Sequence, residues 1–482
     1  MNIRNLVFIL GACLSVCGYA QKSGKAEPMT SDLPVVEIST DNAINGQKKV
    51  VARMRIEGQY DGNIKIKYRG NSSQGFPQKK FSIETKDDSL KDLDVPLFGM
   101  PADDEWALLC PYNDVSMMRD ALAFRLWADM GHWAPRLRMV EVTLNGEYQG
   151  VYGFSETIKQ AKGRVDVKTP KNEAPDTQGY LLRIDKYDQS DLTFRSGIPG
   201  LSSGFTDEIV WTCRYPSKKK ITEEQLSYIK RYVSEAEAAL CSKDSPKAKA
   251  GKYVDLASFV DYFIHTELSL NADAYKSSSY FYKEPDKADG TKGLLHAGSV
   301  WDYNLAYGCC SFCNAGDINA WAFDGCETSA TPAFWRQFAT DKELNEMVRV
   351  RYRELRKTVL SDEHVMAIVD DYASQLGEAQ KRQFGKYPEL LADSTVTTRD
   401  SLQTGGFPPM MFGGFPQMPE GGFPQMMFGG FPQMPEGGFP GMGGTGMLEW
   451  FRSYTVSSYA DEITYLKRWL KDRLDVMDKR FL

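Results

Sequence analysis

Asn271-Ala272-Asp273 and Val300-Trp301-Asp302-Tyr303-Asn304 bracket a segment with the pattern of a β-hairpin. Its first strand reads from Ser278-Ser279-Tyr280-Phe281-Tyr282, rich in aromatic residues. A turn carrying Pro285, Asp286, Asp289 and Gly290 follows, and the second strand lies around Leu294-Leu295-His296. Upstream, Leu256, Phe259, Val260, Phe263, Ile264 and Leu268 recur at helical spacing, with Asp255 placed to cap the first turn. The segment therefore reads as helix, a loop with one aspartate, a hairpin, and a second aspartate after a hydrophobic residue.

That layout suits phosphoryl transfer. One carboxylate can orient or deprotonate an acceptor hydroxyl, while the other holds a divalent metal ion on nucleotide phosphates. A short hairpin brings its two ends together, so Asp273 and Asp302 can share one site despite their separation along the chain. Each taken alone also reads as a loop cap or a turn residue.

Upstream of this segment the sequence alternates. Val35 to Ile38, Val50 to Ile56, Ile64 to Tyr68 and Phe81 to Ile83 read as at least four strands of one sheet. Between the last two lies Arg69-Gly70-Asn71-Ser72-Ser73-Gln74-Gly75-Phe76-Pro77-Gln78-Lys79-Lys80. Small residues with accessible amides between Arg and Lys suit an anion such as a triphosphate, although an ordinary surface turn has the same composition. Glu105 to Leu109 reads as a further strand. Asn113-Asp114 then opens a helix that carries Met117, Met118, Leu122, Phe124, Leu126 and Trp127, with Arg119 and Arg125 riding on it. Val140 to Leu144, the tight Asn145-Gly146 turn and Tyr148 to Phe154 form a hairpin followed at once by Glu156. Gly179 to Ile184 is another strand.

Downstream, helical repeats run through Phe334 to Phe338, Leu344 to Val359 and His364 to Gln383. They are interrupted from Gly405 to Gly444 by octads beginning Gly-Gly-Phe-Pro, whose Gly and Pro content propagates neither helix nor sheet. A last helix, Tyr459 to Phe481, sets Ile463, Leu466, Trp469, Leu470 and Leu474 on one face.

With 482 residues, 42% hydrophobic and 25% charged, the composition is that of a globular chain large enough for two lobes. A net charge of −6 gives no general pull towards nucleic acid or an anionic membrane. Arg4, the apolar run Leu6 to Val16 and Gly18-Tyr19-Ala20 before Gln21 read as a signal peptide. Leu10-Gly11-Ala12-Cys13 also has the form of a lipobox, which would place a lipid anchor on Cys13. No later run approaches the ~20 apolar residues of a membrane span. Seven of the nine cysteines lie outside the signal segment. Among them Cys309, Cys310, Cys313 and Cys326 read either as a zinc site or, in an exported chain, as disulfides closing the loop after Asp302.

In combination these motifs resemble the CotH kinase-like family, named for spore coat protein H. The resemblance is carried by Tyr68-Arg69-Gly70-Asn71-Ser72 with Pro77, Lys79 and Lys80; by Trp106 to Leu109 with Asn113, Asp114 and Met118-Arg119-Asp120; by Leu144-Asn145-Gly146-Glu147-Tyr148-Gln149-Gly150-Val151-Tyr152 with Glu156; by Asn271-Ala272-Asp273; and by Trp301-Asp302-Tyr303-Asn304 with Gly308. They stand in the family's order over roughly residues 35 to 310.

The resemblance implies an α+β, two-lobed atypical protein-kinase-like fold with a β-rich N-lobe and a mainly helical C-lobe. The corresponding divisions are a signal peptide over 1–20, a polar leader over 21–34, the N-terminal lobe over 35–215, the C-terminal lobe with the catalytic hairpin over 216–404, the repeat insertion over 405–444 and the last helix over 445–482. It further implies a secreted, periplasmic or cell-surface kinase that uses ATP with Mg²⁺ or Mn²⁺ on Ser/Thr hydroxyls of an exported or cell-surface protein. Asp273 is then the catalytic aspartate and Asp302 the metal-binding one. Lys79 or Lys80 binds phosphate, Arg69 contacts phosphate, and Glu156 pairs with the lysine or joins the metal site. One position departs from the pattern: Ser278 stands where protein kinases place a metal-binding Asn, and a hydroxyl is a weaker oxygen ligand than an amide carbonyl. Two other readings stay open, a catalytically weak surface scaffold that uses its Phe-Pro-Met repeat as a contact, and a carbohydrate-binding module suggested by nine Trp and 24 Tyr.

Overall fold

The computed structural model describes residues 31–70, 72–167, 174–201, 208–326, 329–391, 452 and 454–482. The signal peptide, most of the polar leader and the Gly-Gly-Phe-Pro repeat lie outside the described residues. The architecture is α+β, with a closed seven-stranded barrel at its N-terminal end.

The barrel is built from β1 (Val35–Ser39), β2 (Val50–Ile56), β3 (Tyr60–Tyr68), β4 (Phe81–Lys86), β5 (Glu105–Leu109), β6 (Leu137–Leu144) and β7 (Glu147–Glu156), in the order β1-β2-β3-β4-β5-β7-β6. Alternation sends Ala52, Met54 and Ile56 of β2 and Ile64 and Ile66 of β3 into the interior. Closure is made by β1 running parallel to β6, with Val36 opposite Val142. At the β6–β7 turn Asn145 and Gly146 both take positive φ, +52° and +80°, as a two-residue hairpin turn requires.

A helix, α1 (Arg119–Asp129), lies between β5 and β6 in the chain. It begins later than the Asn113-Asp114 start expected from the sequence. The Asp114 carboxylate holds the amides of Ser116 and Arg119 in a turn, at 3.0 and 2.8 Å, and Met117 has φ +60°. The helix can therefore propagate only from Arg119. Of its two arginines, Arg125 is exposed beside Asp129, whereas Arg119 is fully buried.

A second, five-stranded sheet has the order β13-β12-β8-β11-β9, from β8 (Tyr180–Ile184), β9 (Thr193–Arg195), β11 (Val210–Tyr215), β12 (Ser279–Lys283) and β13 (Leu295–Ala297). The short β10 (Gly200–Leu201) pairs separately with β14 (Thr331–Pro332). The expected hairpin is present as β12–β13, with Phe281 opposite Ala297. On its other side β12 pairs with β8, Ser279 opposite Ile184, so the chain that follows β8 is carried beside the start of the hairpin.

The helices are α2 (Glu223–Leu240), α3 (Pro246–Ala250), α4 (Leu256–Ser269), α5 (Phe334–Thr340), α6 (Lys342–Leu355), α7 (Asp362–Leu376), α8 (Ala379–Lys386) and α9 (Tyr459–Phe481); α4 packs on β13 of this sheet, whereas α8 packs on β7 of the barrel, where Gln383 accepts the Val151 amide at 2.8 Å. Asp255 caps α4 by accepting the Ser258 amide at 2.7 Å, and Leu270 in the left-handed region, φ +40°, ends it. On α9, Leu466, Trp469, Leu470 and Leu474 are buried in the same core as α4 and α6. The described residues on either side of the repeat meet, because Arg452 donates to the Leu390 carbonyl at 2.6 Å. Among the described residues, no helix is long and apolar enough to cross a membrane.

Candidate functional site

The site forms where the start of β4, the start of α1 and the two ends of the β12–β13 hairpin converge. Lys80 immediately precedes β4. Its ammonium is buried and lies 3.1 Å from a carboxylate oxygen of Asp302. Asp302 follows β13 with φ +62° and keeps its side chain 36% exposed, so one face of the carboxylate is paired and the other is open. Burial alone would raise the Asp302 pKa, but the charge and hydrogen bond of Lys80, with Arg69 beyond it, outweigh that and hold the group ionised.

Asn271 joins the hairpin ends. Its side-chain amide donates to the Asp302 carbonyl at 3.2 Å, and its side-chain oxygen accepts the Asp273 amide at 3.3 Å. Asp273 is thereby fixed on the same side of the fold as Asp302. Burial lifts the Asp273 pKa above its ordinary value, and Asp302 and Asp185 add to the rise while Lys276 and Lys186 oppose it. Burial pushes the neighbouring Lys276 ammonium down to about 8, where it donates to the Ala272 carbonyl. The Ser277 hydroxyl donates to Asp185 at 3.0 Å and ties this turn to the residues after β8.

The other expected site residues divide. Arg69 sits over the Trp301 ring at 5.0 Å, with the charge of Asp302 nearby. Lys79 faces away from the pair: its ammonium donates to the Gln74 carbonyl at 2.7 Å and lies beside the Tyr68 ring. Of the two lysines, only Lys80 contacts Asp302. Ser278 is buried at the start of β12 with φ +49°. Glu156 stands apart from this group. Both its oxygens are taken by the Arg136 guanidinium at 2.9 Å, with Arg164 at 3.9 Å, at the end of β7 where Glu156 lies opposite Trp106.

One acidic residue stands in the Met118-Arg119-Asp120 motif but was given no role there. Asp120, in the first turn of α1, accepts the Tyr303 amide at 2.6 Å. Burial raises its pKa to about 7, against the pull of Lys80, and the nearby charge of Asp302 adds to the rise. Its sequence signal was its place in that motif, at the opening of a helix. The loop after Asp302 is fastened as well: Asn304 and Asn113 exchange hydrogen bonds at 2.6 and 3.0 Å.

A profile of the family described as CotH kinase protein matches residues 66–477. The chain belongs to the CotH kinase family. Among curated proteins it is similar to the inner spore coat protein H of Bacillus subtilis (strain 168), 21% identical over 253 residues, which is 51% of this chain and 59% of that protein. The chain thus spans less than two thirds of the length of that CotH relative.

For a CotH family chain the donor set bears on the expected cofactors. Among the described residues, no group of three or more His, Cys, Asp or Glu is placed to hold a metal ion unaided. A site that offers one or two carboxylates and leaves the remaining ligands to phosphates and water suits Mg²⁺ better than an all-protein cage. Asp302, with its open face, and Asp273 fit that description, and Lys80 and Arg69 place positive charge beside Asp302. The four-cysteine zinc reading does not hold, because Cys313 and Cys326 are joined in a disulfide while Cys309 and Cys310 are buried thiols.

Proposed function

We propose that this chain is a secreted or surface-associated atypical kinase, two-lobed in the manner of protein kinases, that transfers the γ-phosphate of ATP to Ser/Thr hydroxyls of exported proteins with Mg²⁺ or Mn²⁺. The observation that carries this reading is the buried Lys80–Asp302 pair at 3.1 Å, joined through Asn271 to Asp273. Bound Mg²⁺-ATP would supply the phosphoryl group, with Lys80, Arg69 and Asp302 as the residues that hold it. Asp273, whose pKa burial raises, orients the acceptor hydroxyl and takes its proton. Lys80 supports charge that accumulates on the phosphoryl oxygens.

The scaffold reading draws on Ser278 in place of a metal-binding amide, with the Phe-Pro-Met repeat as its contact. The decisive experiment incubates the purified chain and its Asp302→Asn variant with γ-labelled ATP, Mg²⁺ or Mn²⁺, and candidate surface proteins. Metal-dependent labelling by the parent chain and none by the variant is expected. Equal labelling by both removes Asp302 from the mechanism, and absence of labelling by the parent with nucleotide still bound leaves the scaffold.

A further inference from the structure

We infer that the Cys313–Cys326 disulfide is a redox-controlled positioning device for the Asp273 turn: oxidised, it holds that turn for phosphotransfer, and reduced, it releases it. The effect on activity rests on the kinase reading above, whereas the contacts between loop and turn do not.

Two routes join the loop closed by this disulfide to the turn. The first runs through Glu267, fully buried on α4. Its carboxylate accepts the Ala322 and Phe323 amides, inside the loop, at 2.9 and 3.0 Å. It also accepts the hydroxyl of Tyr275, two residues after Asp273, at 2.9 Å. The second route is apolar: Ala272, immediately before Asp273, packs with Cys310 and with Ala315 of the loop. The disulfide faces the same ground, because Cys313 and Cys326 line a small cavity together with Asn271, Ala274 and Lys276. Asn271 is the residue that joins Asp273 to Asp302.

The middle of the loop is fastened independently. From α9 the buried Arg473 guanidinium donates to the Ile318 and Ala320 carbonyls at 2.6 and 2.8 Å and to the Glu267 carbonyl at 2.7 Å. Cleaving the disulfide therefore frees the loop ends, where they meet the turn, and leaves the middle on the core. Cys313 is half-buried in a stretch where Ser311, Asn314 and Gly316 are exposed, within reach of a small dithiol. One thiolate of the dithiol attacks a disulfide sulfur to form a mixed disulfide, and its second thiolate displaces the remaining cysteine. Both cysteines end as protonated thiols, and the dithiol, having given two electrons, ends as a cyclic disulfide. Cys309 and Cys310 take no part, since burial raises the pKa of both thiols, to about 12 for Cys309, and keeps them protonated. Such a chain stays inactive in a reducing compartment and gains activity on oxidation after export.

The test compares the full chain oxidised, reduced with dithiothreitol, and carrying Cys313→Ser with Cys326→Ser. Hydrogen exchange over residues 271–277, melting temperature and steady-state phosphotransfer from ATP are measured for each. In the reduced chain and the double variant, exchange over 271–277 is expected to be at least about tenfold faster and kcat about ten- to a hundredfold lower. KM for ATP should stay within about twofold and the chain should remain folded, because Lys80 and Arg69 approach Asp302 from the barrel side. Reoxidation restores the parent values, and dithiothreitol has no effect on the double variant. Unchanged exchange in this segment overturns the inference. So does faster exchange with kcat unchanged, or unfolding of the whole reduced chain, which would make the disulfide a brace of the fold. An oxidised chain that transfers no phosphate overturns the kinase reading instead, and the exchange comparison then decides the positioning by itself.

Discussion

The ammonium of Lys80 lies 3.1 Å from the carboxylate of Asp302, across 222 residues of chain. Lys79, one residue away, is turned to the Gln74 carbonyl instead. Replacing one lysine at a time therefore separates the site from its surroundings. Lys80→Met is expected to lower phosphotransfer at least about 100-fold, as loss of a preorganised donor to a transferring group does, whereas Lys79→Met stays near the parent value. Steady-state kinetics of the two variants checks this, and equal losses would remove the distinction.

The buried guanidinium of Arg119 holds the Asp302 loop to the C-terminal helix. It contacts Asp114, donates to Glu462 at 2.7 Å and to the Tyr454 hydroxyl at 3.0 Å, and reaches the Ala306 carbonyl at 3.0 Å. Arg119→Met leaves two buried carboxylates without their cation and is expected to cost about 3–5 kcal/mol, read as a large drop in melting temperature. Arg125→Met, on the same helix but exposed beside Asp129, should cost no more than about 0.5 kcal/mol.

Stability should also fall with acid through a single histidine. His265 on α4 is fully buried, with its Nε2 at 2.9 Å from the Ala123 carbonyl, and burial lowers its pKa to about 4 from an ordinary 6.5. The folded chain thus binds fewer protons than the unfolded chain between these values. Its stability is intact above pH 6.5, falls as pH drops from 6.5 towards 4, and loses nothing further from this group below that. The full contribution is on the order of 3 kcal/mol. Urea unfolding at pH 7.5 and pH 5 measures the slope, which should be shallower in His265→Gln.

Much of this site could be read along the chain because its signals are local. The hairpin ends, the Asp255 cap and the Asn145-Gly146 turn each depend on residues a few positions apart. Barrel closure does not, since the parallel pairing of β1 with β6 joins segments about a hundred residues apart with no short-range mark. The choice between Lys79 and Lys80 was hidden for a different reason. Neighbouring residues in extended chain face opposite ways, and the sequence gives that period without saying which residue faces the core. Asp120 and Arg119 stood in the Met118-Arg119-Asp120 motif, which names no partner for either. Their partners Tyr303 and Glu462 lie 183 and 343 residues on, and only the fold brings them together. The cysteine cluster was visible, but not that Cys313 and Cys326 bond to each other.

Asp273→Asn should divide binding from chemistry. If the Asp273 carboxylate takes the acceptor proton, it acts mainly in the transition state, so its loss should lower turnover much more than ATP affinity. A positioned base contributes typically ~10²–10⁴-fold, which sets the expected fall in phosphotransfer. The amide replacement keeps the shape of the side chain, and the link from Asn271 to Asp273 runs through the Asp273 main-chain N–H, so neither depends on the charge. Melting temperature should accordingly hold. The raised pKa gives a second readout: the activity limb assigned to this base should lie above the ordinary carboxylate range, and it should vanish in the variant. Should Asp273→Asn transfer phosphate as fast as the parent chain, Asp273 is only the turn residue after α4 and the proton leaves by another route.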